Sequence, residues 1–174
     1  MQTRIRTHKE IKVINHEKRN SLSGLLVTLF LIPLFWSCGN EVLVDHTVEF
    51  EKRTWEVQDK FKTQFEVIDT VSNFNFFVTL RNTNDYPYQN VFVFLKTDFP
   101  NGKSKLDTIN CPLADAKGKW LGKGFSGVYD NRILFMARKR FPLMGSYSIS
   151  IEHAMRDEEL PGILDVGVRI EKAQ

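Results

Sequence analysis

Cysteine is almost missing: Cys38 and Cys111 are the only two in 174 residues, which excludes a disulfide-stapled scaffold. Histidine is as scarce. From residue 38 onward only His46 and His153 remain, far apart in the chain, whereas zinc sites announce themselves by close Cys/His pairs. No Gly-rich phosphate loop and no calcium loop occurs. The nearest approach to a Gly-x-Ser-x-Gly elbow is Gly124-Phe-Ser-Gly127, and its spacing is wrong. Long apolar runs are absent too. The longest, LLVTLFLIPLFW at 25–36, has twelve residues against about 20 for a membrane span. A basic footprint for nucleic acid is also lacking. The net charge of +3 comes from the first 37 residues, which hold six bases and two acids, so the remainder carries 18 bases against 19 acids.

What is present begins with that front segment. A basic stretch, a short apolar run broken by Pro33, and the small residues Ser37-Cys38-Gly39 have the anatomy of an export signal. A small residue followed by Cys is a lipobox signature, so residues 1–37 read as a lipoprotein signal peptide. Cys38 reads as the lipidated first residue, with residues 38–45 as a short tether. The alternatives are an ordinary signal peptide cut elsewhere or an uncleaved anchor helix. Phe35 and Trp36 are bulkier than the usual occupants of those positions. A diacylglyceryl group with a further acyl chain would hold firmly, since each buried methylene contributes about 0.8 kcal/mol. Cys111 would then be a lone thiol, expected to be buried.

Residues 46–174 read as the folded domain, and their dominant period is two. Phe61, Thr63, Phe65 and Val67 share a face, as do Phe74, Phe76, Val78 and Leu80. Tyr147, Ile149 and Ile151 alternate with serines, and Leu164, Val166, Val168 and Ile170 with polar or small residues. Residues 91–99 are apolar on both faces, as in a central strand. Pro, Gly, Asn and Asp punctuate these runs, each with its own turn mechanism, and Phe99-Pro-Asn-Gly-Lys103 is the best hairpin candidate. Helical periods are confined to single turns at 113–116 and 154–159. Seven or eight strands point to an all-β antiparallel β-sandwich, with jelly-roll-like and immunoglobulin-like orders equally open.

Aromatics are plentiful, with 14 Phe, 4 Tyr and 3 Trp. Trp55, Trp120, Tyr86, Tyr88 and Tyr129 lie in or near loops, where they either plug the sandwich ends or meet a partner. The loop 82–90 and the stretch 117–127 are the candidate contact surfaces, with Tyr86, Tyr88 and Trp120 as candidate contact residues. The acids Asp157-Glu158-Glu159 beside Pro161-Gly162 read as a solvated loop, and His153 as a half-buried histidine of its strand.

Several phrases, in order, resemble one known family. They are Arg81-Asn-Thr-Asn-Asp-Tyr-Pro-Tyr88, Phe99-Pro-Asn-Gly102, Leu113-Ala-Asp115 with Trp120-Leu-Gly-Lys-Gly-Phe125, and Arg140-Phe-Pro142 with Gly145 and Tyr147. His153-Ala-Met-Arg156 and Leu160-Pro-Gly-Ile-Leu-Asp-Val-Gly-Val-Arg-Ile-Glu171 complete the set. Together they are similar to the gliding motility lipoprotein GldH family of Bacteroidota, over about Cys38 to Glu171. The resemblance implies an envelope lipoprotein required for gliding and tied to the type IX secretion apparatus, at the outer membrane facing the periplasm. It implies no catalytic residues, no cofactor or metal, and no small-molecule substrate. The expected partners are the membrane, through Cys38, and other envelope proteins of gliding and secretion, with no nucleic acid. A glycan-binding module for peptidoglycan or surface polysaccharide is the alternative, with an enzyme a distant third.

Overall fold

A computed structural model describes residues 41–174; the signal segment and Cys38 lie outside the described residues. Eight long strands carry the body: β1 (Val42–Glu49), β3 (Phe61–Val67), β4 (Phe74–Thr83), β5 (Asn90–Asp98), β6 (Ser104–Pro112), β8 (Val128–Lys139), β9 (Gly145–His153) and β11 (Ile163–Lys172). Three short ones, β2 (Thr54–Glu56), β7 (Lys123–Phe125) and β10 (Glu159–Pro161), close its far end. One sheet runs β1-β11-β4-β8-β7 and the other β3-β9-β5-β6, while β2 and β10 form a separate ribbon. Every pairing is antiparallel. The long strands 1-11-4-8 opposite 3-9-5-6 follow the two interleaved Greek keys of a jelly roll, which decides between the two sandwich orders.

Alternation explains the core. Phe74, Phe76, Val78 and Leu80 of β4 meet Val91, Val93 and Leu95 of β5 and Tyr147, Ile149 and Ile151 of β9, all buried. In β11 a bulge between Ile163 and Asp165 resets the alternation, so that Ile163 is buried together with Val166, Val168 and Ile170. The hairpin at 99–103 closes as expected, with Phe99 N–H donating to Lys103 O at 2.8 Å and Gly102 at φ 78°.

Two expectations change and a third holds in part. The helical turns at 113–116 and 154–159 do not form. Leu113 and Ala114 both donate their N–H groups to Gln89 O, and Glu159–Pro161 pairs with β2. β5 is central in its sheet, as expected, although Phe92 and Phe94 on its outer face stay exposed. β1 begins at Val42, inside the stretch expected to be tether, because Val44 is needed in the core.

The sandwich has two unlike poles. At the amino-terminal pole, where β1 enters, β4 starts and β11 ends, Phe74, Phe76, Phe141, Tyr147, Phe65 and Phe99 form a connected set of ring contacts. At the opposite pole Trp55, fully buried, stacks on Phe50 and meets His153 edge-on.

Candidate functional site

The loops of the pole opposite the amino terminus carry the candidate residues, and their geometry follows from short local bonds. In the β4–β5 loop Asp85 N–H donates to Thr83 Oγ1 at 3.2 Å and Tyr86 N–H to Thr83 O at 3.3 Å. This turns the chain inward at Tyr86, whose hydroxyl donates to Asn90 O at 2.8 Å. Gly162, at φ 84°, passes so close that an added Cβ would lie 2.5 Å from Tyr86 N, which leaves room only for glycine. Asp115 closes the 115–119 turn by accepting the N–H groups of Lys117 and Lys119, both at 2.9 Å. Trp120 then emerges beside its bridge to Ala114. Ser126 and Gly127 both have positive φ, 55° and 84°, the two-residue turn whose twist suits a hairpin. That turn thrusts Phe125 outward.

These pieces meet. Trp120 Nε1 donates to Asn84 Oδ1 at 3.0 Å and its ring lies 5.6 Å from that of Tyr129. Tyr88 donates its hydroxyl to the Asp157 carboxylate, and its ring meets Tyr86 edge-on at 5.7 Å. The hydrogen bond to Asp157 raises the Tyr88 pKa; burial raises that of Tyr86. Of the three residues singled out in the sequence, Tyr88 and Trp120 reach solvent. Tyr86 is buried at 3% exposure and serves to hold the loop rather than to offer a surface. Phe125, 91% exposed, lies within the candidate stretch 117–127 but was not singled out in the sequence; the Ser-Gly turn after it was the available signal. Asp157, Glu158 and Glu159 are exposed, as expected, and Cys111 is buried.

A second feature lies on the outer face of the five-stranded sheet. Cross-strand register sets Glu49, Asp165, Arg81, Asp130 and Lys123 in one row and Thr47, Gly167, Thr79 and Arg132 in the next. Gly167 leaves a furrow between the two threonines, where a Cβ would lie 2.6 Å from Thr47 Oγ1 and 2.8 Å from Thr79 Oγ1. The resulting groove has a volume of about 1230 Å³. Asp165 sits beneath it, paired with Arg81, which also reaches Glu49 at 2.7 Å. Burial pushes the Asp165 carboxyl above its ordinary range against the pull of that guanidinium. Thr79 Oγ1 is buried without a hydrogen-bond partner. Among the described residues no group of three His, Cys, Asp or Glu is gathered for a metal ion.

Strand order and gathered loops define the class: an all-β jelly-roll protein with aromatic side chains gathered at both ends. The chain belongs to the GldH lipoprotein family, whose model matches residues 42–170. It is 34% identical to the "Gliding motility lipoprotein GldH homolog" of Christiangramia forsetii over 161 residues, covering 88% of this chain and 98% of that one. It is 30% identical to the "Gliding motility lipoprotein GldH" of Flavobacterium johnsoniae, covering 86% and 96% respectively. Among solved structures, one of infectious bursal disease virus Gx strain is 12% identical with a TM-score of 0.25, over 75% of this chain and 32% of that one. That likeness carries no weight.

Proposed function

We propose that this chain is an exported lipoprotein, acylated at Cys38, that serves gliding motility as a non-enzymatic accessory of the gliding and type IX secretion apparatus. In this reading it sits at the outer membrane facing the periplasm. There it grips another envelope protein through Tyr88, Trp120 and Phe125. One observation carries the contact surface: separate loops bring these side chains to a single pole, and Phe125 is almost wholly exposed where burial would be the norm for its ring. Tethering raises the effective concentration for membrane-bound partners without any new contact. Affinity purification from solubilised envelopes tests it. The same envelope proteins should be recovered repeatedly, and Phe125→Ala or Trp120→Ala should reduce their recovery while the domain stays folded. Unchanged recovery from both variants refutes the surface. Labelled fatty acid entering the wild type but not Cys38→Ser tests the anchor.

The groove favours a second reading, glycan binding, because its alternating Arg and carboxylate groups and the Thr79 hydroxyl suit sugar hydroxyls. A flat titration with cell-wall fragments, read by Trp fluorescence, removes it.

A further inference from the structure

The amino-terminal pole carries an unusual combination. Ile68 and Val71 in the β3–β4 loop are 77% and 75% exposed, and Met144 in the β8–β9 loop is 62% exposed. Their exposure is built rather than frayed. The Asp69 carboxylate accepts the N–H groups of Val71 and Ser72 at 2.8 and 2.9 Å, fixing that loop with Val71 outward. Tyr147 donates its hydroxyl to Leu143 O at 3.0 Å and accepts Leu143 N–H at 3.3 Å, fixing the other. Pairing of Val67 with Gly145 sets the two loops side by side.

Next to them Arg138, Lys139 and Arg140 are consecutive and exposed. Pairing of Lys139 with Phe74 puts them at this same pole. The acids Glu41 and Asp69 there are engaged by Lys172, at 3.3 and 3.7 Å. The Arg138 guanidinium donates to Gln174 O at 3.2 Å. An apolar triad beside a run of three exposed cations suits an anionic lipid surface, which takes apolar side chains into its headgroup–acyl boundary and cations onto its phosphates. The chain itself points the same way. β1 begins at Val42 at this pole, so the preceding segment, with Cys38 four residues upstream, joins the body here.

We propose that this pole is a membrane-docking face, with Ile68, Val71 and Met144 entering the lipid interface and Arg138, Lys139 and Arg140 pairing with anionic headgroups. The proposal rests on acylation at Cys38, which holds the chain at the bilayer; docking adds orientation.

The full acylated chain, reconstituted in phosphatidylcholine–phosphatidylglycerol vesicles and in pure phosphatidylcholine vesicles, provides the test. An environment-sensitive fluorophore is placed on Val71→Cys, on Met144→Cys or, as control, on Phe125→Cys. Cys111 is buried and escapes labelling. Quenching by lipids carrying spin labels near the headgroup should be roughly threefold stronger at 71 and 144 than at 125, as interfacial insertion requires. Reversing Arg138, Lys139 and Arg140 to Glu should reduce it in the anionic vesicles to the level in pure phosphatidylcholine. If the chain floats with vesicles while both labels are quenched no more than the one at 125, docking is refuted and the anchor stands. A chain that leaves the vesicles altogether refutes both.

Discussion

Removing the guanidinium of Arg81 tests the logic of the groove. Asp165 is 2% exposed and Arg81, its ion-pair partner, is 38% exposed. Arg81→Met keeps the apolar stem. It leaves the Asp165 carboxylate with the hydrogen bond from the Arg81 backbone N–H, at 3.2 Å. Breaking a buried pair by removing one member costs about 3–5 kcal/mol. Water reaches the half-open Arg81 position, which places the expectation near the lower end, about 3 kcal/mol. With an unfolding entropy of roughly 2.1 cal/mol/K per residue, a body of this size should lose about 10 °C in Tm at neutral pH. Thermal melts followed by circular dichroism read this directly. The deficit should depend on pH. In the variant the folded-state pKa of Asp165 rises further above the unfolded value of about 3.9. The native state then holds a proton that the unfolded chain has released, so stability is lost as pH rises through that window and regained on acidification toward about pH 4. Asp165→Asn in the same background should recover most of the loss. Glu49→Gln, which removes only the exposed partner of Arg81, should cost about 0.5 kcal/mol or less. A loss from Arg81→Met no larger than that, or a deficit constant from neutral to acid pH, would refute the account.

Two further outcomes follow from buried titratable groups. His153 is buried against Trp55, and burial lowers its pKa over the opposing pulls of the Glu158 backbone and Asp157. As pH falls below about 6.5 the unfolded chain takes a proton that the native state refuses. Stability should therefore be fully present above that pH and drop toward pH 5, and His153→Gln should flatten this slope in a Tm-against-pH series. Burial pushes the Cys111 thiol up to about 12. Alkylating reagents should therefore leave it untouched in the folded chain and modify it at the rate of unfolding, as mass spectrometry would count.

Much of the fold is written as alternation in the chain, and the exceptions have causes. Phe61 to Val67, Phe74 to Leu80 and Tyr147 to Ile151 keep strict period two because one face of each is core. β8 hides its period. Register shifts opposite Phe74, Phe76 and Phe77 insert extra residues, and Arg138 takes φ 50° there, so inward and outward positions stop alternating. β1 was missed because Asp45, His46, Thr47 and Glu49 are all exposed at a sheet edge, leaving little apolar signal around Val44. For the candidate site, loop membership of Tyr86, Tyr88 and Trp120 was legible but direction was not. Whether a tyrosine turns inward depends on Asn90 O and Gly162, whose closeness to Tyr86 arises from folded geometry rather than from sequence pattern. The groove was invisible for a related reason, since its rows join residues from five strands that only the pairing brings abreast.

The early start of β1 also sets a height. Between Cys38 and Val42 an extended chain reaches at most about 14 Å, so the proposed lipid on that cysteine would leave the body little slack. From there β4 climbs ten residues to Thr83, about 33 Å at the usual rise of a strand. Phe125 and Trp120 would then ride some three nanometres above the bilayer at the tip of a short, stiff mast. Anything meant to meet them must itself project that far from the same membrane, or descend from the layer facing it.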